Sequence, residues 1–170
     1  MAKNINVIGD PKIYHREETP TIGIRITTPF EGMFAQVDKL RKELKKWFKM
    51  QDITPQGHPF LRYHVIDMAG DMEIEYGFCL AQPLASDGRI TADVLPAGRY
   101  VSLIYSGSGL QGNKALIQYI HDHNLPVDRW DDPKGDGFRC RYEMYLTDPK
   151  IEPRKTKWDI EVAVKLKDES

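Results

Sequence analysis

The sequence predicts an α+β fold: tandem duplicated βαββ-type units forming one curved antiparallel sheet, with two helices on one face and a central ligand groove on the other. Three observations predict it. Several segments alternate apolar and polar residues with the period of a strand, as in Met72–Leu80, where Ile74, Tyr76, Phe78 and Leu80 share one parity. One long stretch, from Phe30 to Phe48, has helical periodicity instead. The same order of segments then occurs a second time, and a helix covers only one face of a sheet, so two such units leave a front free.

The first unit spans about residues 11–81. It opens with a short strand at Lys12–His15, turns at Thr19-Pro20 and continues as the strand Thr21–Ile26. In the helix that follows, Phe30, Phe34, Val37, Leu40, Leu44 and Phe48 form the apolar stripe, while Lys39, Lys42, Lys45 and Lys46 fill a solvated face. The strands Phe60–Ile66 and Met72–Leu80 complete it. The second unit, about residues 88–167, repeats the order with Arg89–Val94, a corner at Leu95-Pro96, Arg99–Tyr105, a helix around Asn113–His123, and the strands Phe138–Leu146 and Trp158–Leu166. Arg62-Tyr63-His64 aligns with Arg141-Tyr142-Glu143, and Asp71–Glu75 aligns with Lys157–Glu161. The whole chain, residues 1–170, is read as a single domain.

Composition narrows the function. A net charge of −1 gives no general electrostatic reason to expect nucleic acid, and no helix-turn-helix segment precedes residue 11, so direct DNA binding is not expected. No apolar run is long enough for a membrane span or a signal peptide. Cys79 and Cys140 have neither metal spacing nor disulfide density, which suits reduced thiols and a cytoplasmic location. Neither a metal nor another cofactor is expected. His121 and His123 lie two apart on a helix and point to different sides, and Asp128, Asp131, Asp132 and Asp136 sit in a Pro/Gly-rich loop without the register of a calcium site. Gly107-Ser108-Gly109-Leu110-Gln111-Gly112 matches a dinucleotide fingerprint, but the helix after it leads into a polar loop rather than a parallel strand.

The informative segment is Arg141–Pro149, "RYEMYLTDP". Alternation places Tyr142, Met144 and Leu146 on one face, expected against the helices, and Arg141, Glu143 and Tyr145 on the other, toward the groove. Tyr145 shares that face, and Trp158, Tyr105 and Phe60 stand near strand ends where their rings would surround the Glu143 carboxylate.

The segments "GHPFLRYHVID", "LPAGRYV" and above all "YEMYLTDP", followed by a strand bearing Trp158, resemble the GyrI-like small-molecule-binding domain. That family includes effector domains of AraC-type and MerR-type regulators and stand-alone gyrase-inhibitor-like proteins. The resemblance covers about Pro11 to Leu166. It implies a central cleft in which a buried glutamate at the position of Glu143 meets flat, hydrophobic, often cationic ligands, with Tyr145 and Trp158 lining the pocket. Pseudo-symmetry adds His64, as the repeat partner of Glu143, together with Phe60 and Tyr63. Where many members have Gly-Pro-Tyr before the second helix, this chain has Gly107-Ser108-Gly109, which opens one wall. The expected partner is therefore a small hydrophobic or cationic organic molecule, with a separately encoded regulator or DNA gyrase as further candidates. The alternatives to simple binding are hydrolysis of strained electrophilic rings with Glu143 as base, and a gyrase-inhibitor-like protein contact.

Overall fold

A computed structural model describes residues 7–169. Its strands are β1 (Val7–Ile8), β2 (Lys12–Arg16), β3 (Thr19–Pro29), β4 (Pro59–Ile66), β5 (Asp71–Cys79), β6 (Ile90–Leu95), β7 (Gly98–Ser106), β8 (Arg129–Asp132), β9 (Gly135–Phe138), β10 (Arg141–Tyr145) and β11 (Ile160–Lys165). Two α-helices interrupt them, α1 (Met33–Met50) and α2 (Gly109–Asp122). All strand pairs are antiparallel, and the main order is β1-β7-β11-β10-β4-β5-β3-β6. The fold is thus α+β with one large curled sheet, as its alternating segments predict.

Strand order explains the curl. It reads symmetrically about the central β10–β4 pair, where Glu143 stands opposite Leu61. The leading strands are exchanged: β2 precedes β3 but pairs with β7, and β6 precedes β7 but pairs with β3. The two ladders share one register, Arg16 opposite Gly98 and then Thr19 opposite Leu95. The outer edges of the sheet are therefore drawn toward each other by one long two-stranded ribbon, and fewer backbone groups are left unpaired.

Both helices pack on the same face. Val37, Leu40, Leu44 and Phe48 of α1 and Leu116 of α2 are buried against Ile22, Ile74, Leu103 and Val162 of the sheet. The helices begin differently from the sequence reading. α1 starts at Met33 behind Gly32, whose φ of 78° is a left-handed conformation that glycine adopts without strain. α2 starts at Gly109, four residues before the expected Asn113, because the Ser108 side chain accepts a hydrogen bond from the Gln111 amide at 3.2 Å and caps it. The polar stretch after α2 is also more than a loop, since β8 and β9 form a hairpin in which Arg129 bridges Asp131 and Asp136 at 2.8 and 2.7 Å.

One prediction about faces is corrected. Tyr142 and Met144 pack away from the helices, in a second cluster with Phe60, Leu95, Tyr100 and Cys140, and Leu146 lies against it. The curl brings these large side chains together, so that face is filled by the protein itself. The open space lies on the other face, beside the helices. Both cysteines are free and buried, and among the described residues no helix is long and apolar enough to cross a membrane.

Candidate ligand-binding site

The site is built around β10, held on both sides by β4 and β11. Such a central strand fixes its side-chain directions, and its period of two aims Arg141, Glu143 and Tyr145 at the helical face. Glu143 is only 8% exposed. Its Oε1 accepts from Asn113 Nδ2 of α2 at 3.1 Å, and the Tyr63 hydroxyl of β4 favours its ionised form. Burial raises its pKa above the ordinary carboxylate value, while Asn113, Lys155, Arg141 and Tyr63 oppose that rise.

Beside the carboxylate lies a cavity of about 620 Å³. Tyr63 and Tyr105 wall it from the sheet, Phe30 and Phe34 from the start of α1, and Gly109 and Leu110 from the start of α2. Tyr105 is fixed by a close approach: a Cβ added to Gly112 would lie 2.4 Å from its ring, so only glycine lets the helix come so near. Desolvation and Glu143 together push the Tyr105 and Tyr63 phenols up, which keeps both as neutral hydroxyls.

A second cavity of about 300 Å³ adjoins the first and contains Tyr145 and Trp158. Their rings meet edge to face at 6.0 Å, and Trp158 Nε1 donates to the Glu152 carbonyl. Phe34 and Lys155 border both cavities. Lys155 Nζ sits 4.9 Å from the Phe34 ring centre and 5.6 Å from that of Tyr145, so a cation already rests between aromatic faces at the partition.

Of the residues singled out in the sequence, Glu143, Tyr63 and Tyr105 line the larger cavity, and Tyr145 and Trp158 the smaller. Phe60 and His64 line neither. Phe60 is fully buried in the second cluster, and His64 is buried and hydrogen-bonded to Glu75 at 2.8 Å. The alignment that paired His64 with Glu143 is three residues out of register. Tyr63 faces Ile74 as Tyr145 faces Ile160, which puts Leu61 rather than His64 at the position corresponding to Glu143.

A family model for the GyrI-like small molecule binding domain matches residues 9–167. The chain belongs to the GyrI-like family. Solved structures agree in fold at low sequence identity. The EcmrR C-terminal domain superposes with a TM-score of 0.66 at 16% identity, covering 95% of this chain and 99% of that one. SAV2435 bound to tetraphenylphosphonium gives 0.60 at 12% identity, covering 93% and 94%. A hydrolase from Listeria innocua gives 0.58 at 13% identity, covering 91% and 90%. Comparison with curated proteins finds no match. In this GyrI-like chain the altered loop Gly107-Ser108-Gly109 lies at the mouth of the larger cavity, where Gly107, Gly109 and the exposed Leu110 border the opening.

Asn113, Phe34 and Lys155 are the site residues that sequence reasoning missed. Phe34 looks like one more member of the helical stripe, and only its 49% exposure marks it as lacking a core partner. Asn113 carried a weak signal, a polar residue near the helix start on the side facing the sheet. Lys155 comes from the connection between β10 and β11, whose path no periodicity predicts.

Proposed function

We propose that this GyrI-like domain binds a flat, hydrophobic small molecule in the larger cavity, with a positively charged or hydrogen-bond-donating part of the ligand against Glu143. The observation that carries the reading is a carboxylate 8% exposed at the edge of a cavity of about 620 Å³ with aromatic walls. That volume suits a molecule of a few fused rings. Burial makes the carboxylate costly to ionise alone, and an arriving cation removes much of that cost while its apolar body buries area against Tyr63, Tyr105 and Phe34. The complex of the similarly folded SAV2435 with tetraphenylphosphonium, a lipophilic cation, is consistent with this chemistry.

The test is a titration of the protein with a cationic xanthene dye, the ethyl ester of a rhodamine, followed by fluorescence anisotropy. The expected dissociation constant is micromolar, about −8 kcal/mol. Glu143→Gln should weaken the cationic dye by about tenfold, the scale of one charge-assisted contact, and a neutral aromatic of similar size by less. Equal losses would remove the charge role from the carboxylate.

One observation favours a second reading as a hydrolase: the Tyr63 hydroxyl and the Glu143 carboxylate line the same cavity and influence each other's ionisation, so a base and a proton donor face one space. The raised pKa moves Glu143 toward the range of a general base. Water addition to a cyclopropane-bearing electrophile, abolished in both Glu143→Gln and Tyr63→Phe, would establish catalysis in place of binding alone.

A further inference from the structure

The charges around the larger cavity are not those of a simple cation receptor. Its wall holds one carboxylate, Glu143, but two basic side chains, Arg141 and Lys155. Arg141 is distinctive among the enclosed arginines. Arg62 donates to the Val94 and Arg139 carbonyls and Arg16 to Tyr142, whereas the Arg141 guanidinium has a ring contact, 4.9 Å from the centre of Phe138, and feels Glu143 and Asp136 through electrostatic attraction alone, with neither a side-chain hydrogen bond nor an ion pair among the described residues. A partly buried fork of five donors left open toward a cavity is the geometry that carboxylates and phosphates fill in a bidentate way. The N-terminal turns of both helices also border the cavity, through Phe34 on α1 and Gly109 and Leu110 on α2, and neither helix has an acidic residue in its first turn. Two uncompensated positive dipole ends therefore add to the field of Arg141 and Lys155.

We infer that the ligand of this chain is amphoteric: a hydrophobic ring system whose donor or cationic end meets Glu143 and whose acid group meets the open guanidinium of Arg141. This rests on the cavity being the ligand site, as proposed above, and adds the second charge. The spacing is suitable, since the two residues alternate on β10 and stand about 7 Å apart along the strand. An aromatic zwitterion of that length satisfies both groups, and a pure cation leaves Arg141 and Lys155 repelling it.

The experiment compares the rhodamine ethyl ester, a cation, with its parent carboxylic acid, a zwitterion with the same ring system. The unaltered protein should bind the acid about ten times more tightly than the ester, the scale of one charge-assisted, bidentate contact. Arg141→Met should erase that preference, and Arg141→Lys, which keeps the charge but loses the fork, should retain part of it. Glu143→Gln should weaken both dyes while the acid stays ahead. If Arg141→Met does not fold by circular dichroism, the unaltered protein and Arg141→Lys still decide. An ester bound as tightly as the acid, or a preference that survives Arg141→Met, overturns the inference and leaves the cation site standing. Saturable binding of neither dye overturns the cavity reading and this inference with it.

Discussion

Glu143 combines ligand chemistry with a cost in stability. Its pKa in the fold is raised, chiefly by burial, above the ordinary 4.5 at which the unfolded chain releases the proton. Between those two values the folded protein holds more protons than the unfolded one, so stability falls as pH rises through the window above 4.5. Glutamine keeps a carbonyl to accept from Asn113 and removes the titration. Glu143→Gln should therefore melt higher than the unaltered protein at neutral pH, by about 3 °C for each 1 kcal/mol relieved, and the advantage should shrink toward about pH 4. Calorimetry across that range checks it, and a variant that melts lower at every pH would mean that the carboxylate is worth more to the fold ionised than neutral. The opposite case is His64, which burial holds below its ordinary 6.5 despite the Glu75 contact, so it lies in the fold as a mainly neutral side chain.

At the scale of elements, the close seating of α2 on β7 shapes the cavity. Gly112 is buried where the helix crosses Tyr105, and a methyl group there would lie 2.4 and 2.5 Å from two ring carbons. Gly112→Ala should thus destabilise by about 1–3 kcal/mol despite alanine's better helix propensity, with chemical denaturation as the measurement. An increase in stability would show that Tyr105 moves aside freely. The glycine is visible in the sequence, but its reason is not, because the dinucleotide-like spacing around it suggests a phosphate loop. The antiparallel setting of β7 settles the matter: glycine serves helix-to-strand contact here. Helix periodicity was legible for α1 since each of Val37, Leu40, Leu44 and Phe48 meets the sheet, while the starts of both helices depended on Gly32 and Ser108, single residues whose roles appear only with the backbone.

For the whole molecule, strand alternation was sufficient to separate Arg141, Glu143 and Tyr145 from Tyr142 and Met144, but not to say which set meets the helices. Both sets are largely enclosed, with only Arg141 partly exposed, so burial does not discriminate between faces; the decision comes from the curl, which packs Tyr142 with Tyr100 and Phe60. The curl in turn comes from the exchange of β2 and β6, a nonlocal pairing with no local sequence signal. That exchange has a thermodynamic consequence. The first half of the chain lacks its own edge partner for β3, which is supplied by β6 beyond residue 89, and β7 is covered by β2 from the start of the chain. Neither half keeps a complete sheet without the other, so the two should unfold together in one cooperative transition. Trp47 on α1 and Trp158 before β11 report on the separate halves. In two variants that each retain one of these residues, with the remaining tryptophans replaced by phenylalanine, each urea transition should give the same midpoint by fluorescence and by far-ultraviolet circular dichroism. Fluorescence midpoints that depart from the backbone signal of the same variant would mean that each half folds by itself, and that the exchanged strands join two stable units rather than complete one.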